Sequence, residues 1–159
     1  EIVNIFSPSD ESPVIIFEND GFVVGNCLID GKETNFYDYL VDNKIDIRFP
    51  LVTNYGGAHI NSSFFQLIEE SKTVVMAAPL VAGREYSFAE NLSDYVAEFE
   101  RSLPDDRSEN IVASANCLYN YFYGELDGKH INVSGPMAYG EIAYRLLNQT
   151  MVYLRIEEV

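Results

Sequence analysis

The feature that most restricts how this chain can fold is the shortness of its apolar runs. Ile2 to Phe6, Val14 to Phe17 and Phe22 to Ile29 are β-branched and aromatic, Ile45 to Val52, Ile60 to Ile68 and Thr73 to Leu80 read as further strands, and Arg84 to Phe88 alternates like one. Gly, Pro, Asn, Asp or a charged turn closes each run, which is the pattern of successive strands. Asn19-Asp20-Gly21, between two such runs, predicts a hairpin turn. Glu69-Glu70-Ser71-Lys72 predicts a turn between two strands, and Pro50 marks an edge or a bulge near the end of Ile45 to Val52. Eleven Tyr and ten Phe with no Trp fit a strand-rich core whose Tyr hydroxyls reach water or partners.

Helical spacing breaks this series in three places. Phe36, Tyr37, Leu40 and Val41 share one face of a short helix, with Thr34 as the expected N-cap. Leu92, Tyr95, Val96, Phe99 and Leu103 form the apolar stripe of a second helix, capped by Asn91 and ended before Pro104. Ile111 to Ala115 is short and uncharged and reads as a buried central strand. A third helix follows, with Leu118, Tyr121, Phe122 and Leu126 inward and Gly128 past its end. Ile131 to Ala143, interrupted by Gly135-Pro136 and Gly140, and Thr150 to Ile156 are the last strands. No repeat or linker divides the 159 residues. The expected fold is a single α/β (α+β) domain, a mixed and largely antiparallel sheet with two or three packed helices.

A net charge of −15, from 25 acidic and 10 basic residues, argues against nucleic-acid and membrane-surface partners. No run is long and apolar enough to span a bilayer, and no signal-peptide core opens the chain. Because it begins at Glu1 rather than Met, an upstream segment is expected to have been trimmed. Cys27 and Cys117 make no disulfide framework and, with His59 and His130, no zinc spacing. Two small, partly buried reduced thiols in a cytoplasmic protein, without metal or cofactor, are the expectation. Asn-x-Ser/Thr sequons at Asn61, Asn91, Asn132 and Asn148 are discounted as chance in an Asn-rich chain.

The candidate site lies in the last third. Asn116 and Cys117 end an apolar strand, Tyr139 and Glu141 flank Gly140, and Asn148, Gln149 and Thr150 precede another apolar strand. Apolar strands accept such groups only if these bond one another, a water or a ligand. Cys117 at a helix start could be a nucleophile, but neither histidine is tied to it as a base, and a small buried thiol is the plainer reading. Glu141 can hold a ligand ammonium or hydroxyl, pair with Arg84 or Arg145, or lie on the solvent face of an edge strand. The Asn-Gln-Thr run is equally ordinary turn chemistry. No phosphate-binding Gly-rich loop, nucleophile elbow or His-Glu-x-x-His motif is present.

The segments Ala113-Ser114-Ala115-Asn116-Cys117, Gly135-Pro136-Met137-Ala138-Tyr139-Gly140-Glu141 and Asn148-Gln149-Thr150-Met151-Val152 resemble the C-terminal half of the FIST sensory domain. Arg48-Phe49-Pro50-Leu51 and Thr73 to Gly83 extend the resemblance upstream, so that it is strongest over residues 45 to 159. It implies a non-enzymatic sensor of a small molecule, an amino acid or related metabolite, that relays occupancy to a signalling partner. The ligand-binding residues would be Asn116, Cys117, Tyr139, Glu141, Asn148, Gln149 and Thr150. The family often carries an Arg three residues after the Cys, where this chain has Asn120, so a cation for an anionic ligand group is missing there. The family's N-terminal half is missing too, so the chain would be a short stand-alone version. Two other readings stand beside it. One is an acidic interaction or homo-oligomerisation module, with Tyr119, Tyr121 and Tyr123 as a surface patch. The other is an enzyme centred on Cys117.

Overall fold

The computed structural model describes residues 1–103, 110–129, 135–142 and 145–156. In chain order the elements begin with strands β1 (Ile2–Val3), β2 (Ile15–Ile16), β3 (Gly21–Val24), β4 (Asn26–Ile29) and β5 (Lys32–Asn35), then helix α1 (Phe36–Asp42). Strands β6 (Leu51–Tyr55), β7 (Ala58–Ser62), β8 (Phe64–Ile68), β9 (Thr73–Leu80) and β10 (Glu85–Phe88) come next, then α2 (Tyr95–Ser102), β11 (Ile111–Cys117) and α3 (Leu118–Tyr123). The chain closes with β12 (Met137–Ala138), β13 (Glu141–Ile142), β14 (Arg145–Leu146) and β15 (Met151–Arg155). Among the described residues every strand pairing is antiparallel except β11 with β12. The mixed, largely antiparallel α+β class is therefore present, with strand well ahead of helix. The chain forms two compact units, Phe6–Asn91 and Glu1–Ile5 with Leu92–Val159.

In the Phe6–Asn91 unit the strands close on themselves. Strand β4 pairs with β2, β2 with β10, β10 with β6 and β6 with β7. A single residue, Ser63, carries β7 into β8; β8 pairs with β9, β9 with β3, and Gly25 alone carries β3 back into β4. The circuit is a small antiparallel barrel with two bent strands, to which β5 adds an outer strand paired with β4. Strand β9 shows how the sequence builds the wall: alternate residues Val74, Met76, Ala78 and Leu80 are buried while their neighbours are not. Their partners inside are Ile15, Phe17, Val24, Cys27, Leu51, Phe64 and Tyr86. Helix α1 adds Phe36, Tyr37 and Leu40 to the same core. Each large side chain buried in this way contributes roughly 1.5–3 kcal/mol.

Several local expectations are corrected here. Asn35, not Thr34, caps α1, accepting the Asp38 amide at 3.0 Å, because Asn35 is the last residue of the β4–β5 hairpin and stands directly before the helix, one residue after Thr34. Val41 faces solvent at 49% exposure. Asn19-Asp20-Gly21 is a corner rather than a hairpin: the strands it joins pair elsewhere, and Asp20 Oδ1 accepts the Ala82 amide at 2.7 Å. Ile45 to Pro50 is loop, and strand β6 begins after Pro50, whose missing N–H cannot enter a ladder. Ile60 to Ile68 is split at Ser63.

In the other unit the sheet order is β1-β15-β11-β12, over a core of Val3, Phe99, Leu126, Met151 and Tyr153. Asp94 rather than Asn91 caps α2, accepting the Ala97 amide at 2.9 Å. Strand β11 is central in pairing but not buried: Val112 is 55% exposed, and only its end, Asn116 and Cys117, is enclosed. Helix α3 ends at Gly124, before Gly128, and turns Phe122 outward and Asn120 inward. A Cβ at Gly124 would stand 2.6 Å from the Asn120 carbonyl oxygen, so the turn there needs glycine. Ile131–Ser134 and Ala143–Tyr144, parts of an expected strand, lie outside the described residues, as do Pro104 and the Asn132 sequon.

Candidate functional site

Antiparallel pairing of β11 with β15 sets Asn116 opposite Met151, and the Cys117 amide donates to the Thr150 carbonyl at 3.1 Å. This register brings Asn116 and Cys117 to Asn148, Gln149 and Thr150. All five are buried, between 0% and 3% exposed. Four side chains then form a directed run of hydrogen bonds. Gln149 Nε2 donates to the Tyr95 hydroxyl at 3.2 Å, Tyr95 to Asn120 Oδ1 at 2.8 Å, and Asn120 Nδ2 to Asn116 Oδ1 at 3.0 Å. It ties α2, α3, the end of β11 and the turn into β15 together inside one unit. Each amide and hydroxyl in it polarises the next, which strengthens such runs in a low dielectric. Thr150 Oγ1 is occupied locally, donating to the Asn148 carbonyl at 2.8 Å. At the far end Asn116 Nδ2 is buried and has no hydrogen-bond partner among the described residues.

Tyr139 and Glu141 do not join this group. Tyr139 is 79% exposed and Glu141 is exposed as well. Gly140 meets the group instead, through its backbone: its φ is +91°, its carbonyl accepts the Leu147 amide, and a Cβ on it would lie 2.3 Å from Asn148 Nδ2. With the glycine pressed against Asn148, the flanking side chains fall on the solvent side. The thiol of Cys117 is fully buried and makes no cap bond to α3. Among the described residues of this unit there is no histidine to act as its base. Burial pushes the Tyr95 phenol up, and burial with Tyr123 nearby pushes the Tyr119 phenol up to about 12. Tyr95 and Asn120 carry the middle of the run, and sequence reasoning passed over both. Tyr95 reads as one more apolar residue of its helix stripe, and Asn120 only as a missing Arg.

Sequence reasoning also passed over an open cleft of about 400 Å³ on the barrel unit, inside the size range of small-ligand sites. Residues from three separate loops, helix α1 and the end of β10 line it, among them Glu11, Tyr39, Lys44, Asp46, Phe49 and Phe88. Reading Ile45 to Val52 as strand hides it, because the loop that replaces the strand makes its wall. One side is aromatic. Phe64 and Phe36 stack at 6.2 Å, Phe36 and Phe88 at 6.5 Å, and Phe88 and Tyr39 at 6.1 Å and 4°, a column from the core to the cleft. Ser12 is committed to the fold, its hydroxyl donating to Pro13 and accepting the Phe88 amide at 2.7 Å. Asp46 is committed too: Arg48 Nε holds both its oxygens at 3.0 Å and keeps its carboxyl below the usual range. The side chains of Glu11 and Lys44 have no partner among the described residues. Burial, followed by the negative charge of Asp30, pushes the Tyr39 phenol up.

Both cysteines are free and buried, one in each unit. Among the described residues no three His, Cys, Asp or Glu side chains gather closely enough to hold a metal ion, and no helix is long and apolar enough to cross a membrane. Asn61 and Asn148 are buried, which leaves Asn91 as the one exposed sequon among the described residues. No curated protein and no solved structure matches the chain. The model of a family of unknown function, DUF6976, does match, over residues 1–157, and the chain belongs to that family.

Proposed function

We propose that the chain is a non-enzymatic small-molecule-binding module whose ligand occupies the cleft of the barrel unit. The observation that carries this reading is the cleft itself, with a stacked aromatic wall and charged side chains not used by the fold. As in the FIST resemblance, occupancy would be relayed to a signalling protein. The ligand seat moves from the Asn116–Thr150 group to the barrel, because the side chains of that group are buried and bonded to one another, whereas the barrel unit carries an open cleft. Its leftover Asn116 amide is suited to an internal water. Two free thiols support a reducing compartment such as the cytoplasm.

A thermal-shift screen of small polar metabolites tests the reading. A ligand present at about a hundred times its Kd adds about 2.7 kcal/mol to the native state, or several degrees in a chain of this size. No shift from any amino acid, amine, carboxylate or polyol at high excess sinks it.

A second reading, an acidic interaction module without a small ligand, is favoured by Phe22, Val23 and Phe65. They are 50%, 63% and 67% exposed on β3 and β8, the strands flanking β9. Light scattering separates the two readings: a concentration-dependent oligomer that Phe65→Ser disperses supports this one, and a strict monomer removes its homo-oligomer form.

A further inference from the structure

We propose that the cleft selects a dipolar ligand, one molecule carrying an ammonium, a carboxylate and an apolar part. This deepens the cleft reading and rests on it. Glu11 and Lys44 have opposite charge, line the same cleft, and pair neither with each other nor with any other described group. A third charge on the lining, Asp46, is by contrast neutralised by Arg48. The fold therefore consumes one carboxylate of the cleft and leaves one carboxylate and one ammonium.

Opposite charges that share a small cleft without meeting are complementary to a molecule that bears both. Such a ligand pairs its ammonium with Glu11 and its carboxylate with Lys44, and the lining charges then balance. A ligand with a single charge satisfies one of these side chains and leaves the other as it was. The net charge of −15 discourages anions in general, so a carboxylate is accepted only where a cation such as Lys44 waits for it. The apolar part has a surface prepared for it in the Tyr39 and Phe88 rings, which stack in parallel at 6.1 Å. Tyr39 adds a phenol with no hydrogen-bond partner among the described residues, available to a polar atom of the ligand.

Titration calorimetry with small aromatic probes of different charge tests this. L-phenylalanine and 4-(aminomethyl)benzoate carry both charges, benzylammonium and 4-methylbenzoate carry one, and benzyl alcohol none. At least one dipolar probe is expected to bind about threefold to fivefold tighter than either singly charged analogue, the worth of one solvent-facing ion pair. Glu11→Gln should then weaken benzylammonium and leave 4-methylbenzoate unchanged. Lys44→Gln should do the reverse, and each variant should erase the dipolar advantage. Both side chains are exposed, so the variants fold as the parent does. If benzyl alcohol or a singly charged probe binds as tightly as both dipolar ones, the dipolar claim is overturned while the cleft stands as a ligand site. If no probe binds at about 10 mM, where even a Kd of 1 mM gives near saturation, both claims fall.

Discussion

Tyr95 shows how one hydroxyl can hold several elements. It accepts from Gln149 and donates to Asn120, so Tyr95→Phe breaks two bonds at once to buried amide side chains. We expect a loss of about 1–3 kcal/mol, read from chemical denaturation with an unchanged m-value. The same residue sets a pH dependence. Burial holds the Tyr95 proton more tightly in the folded than in the unfolded chain, whose tyrosines ionise near 10. Its contribution is intact below pH 10 and is lost as pH rises beyond it, since only the unfolded state then releases the proton. Cys27 acts in the same sense over a lower window, because burial raises its thiol from 9.0 to about 12. Stability should therefore fall above pH 9, and Cys27→Ala should flatten the first part of that fall. An unchanged slope would show that the thiol is not desolvated. Residue identity alone made Asn116, Asn148 and Gln149 legible as polar groups on apolar strands. It left Glu141 and Tyr139 undecided, because Gly140 determines which way its neighbours turn and its contact with Asn148 arises only in the fold.

Elements were legible where alternation or a helical stripe was unbroken, as in Thr73 to Leu80, and misplaced where two local preferences competed. At the start of α1, Thr34 and Asn35 are both good caps, and the point where the β4–β5 hairpin ends, at Asn35, decides between them. Asn35 also donates to the Lys72 carbonyl at 3.1 Å and to Asn26 Oδ1 at 3.3 Å. Asn35→Ala should cost about 1–2 kcal/mol and Thr34→Ala, on a β-hairpin surface, within about 0.5 kcal/mol. Equal costs in equilibrium unfolding would contradict the cap assignment. The barrel itself was illegible for a different reason. Gly25 and Ser63 each carry one strand from one sheet to the next, and a single residue without regular pairing leaves no periodic trace in a run of apolar side chains.

At the scale of the whole molecule the charge dominates. Ten basic residues cannot balance 25 acidic ones, even with ion pairs such as Lys72 with Asp38 at 3.3 Å and Arg101 with Glu98 at 2.8 Å. Like-charge repulsion therefore opposes the compact state, and salt screens it within about 10 Å at 0.1 M. The thermal midpoint should rise with NaCl, by about 3 °C for each kcal/mol of repulsion relieved. A flat or falling midpoint would mean that the carboxylates are spread too widely to repel. Charge also frames the functional account, in which a strongly acidic chain keeps one unpaired lysine beside one unpaired glutamate in an aromatic-walled cleft. Amide shift mapping on the 15N-labelled chain, titrated with L-phenylalanine and 4-(aminomethyl)benzoate, tests that account most directly. The predicted result is saturable shifts confined to Ser9–Ser12, Asn43–Asp46 and Phe88–Asn91. Shifts centred on Asn116, Cys117 and Asn148 instead, or none anywhere, would contradict it.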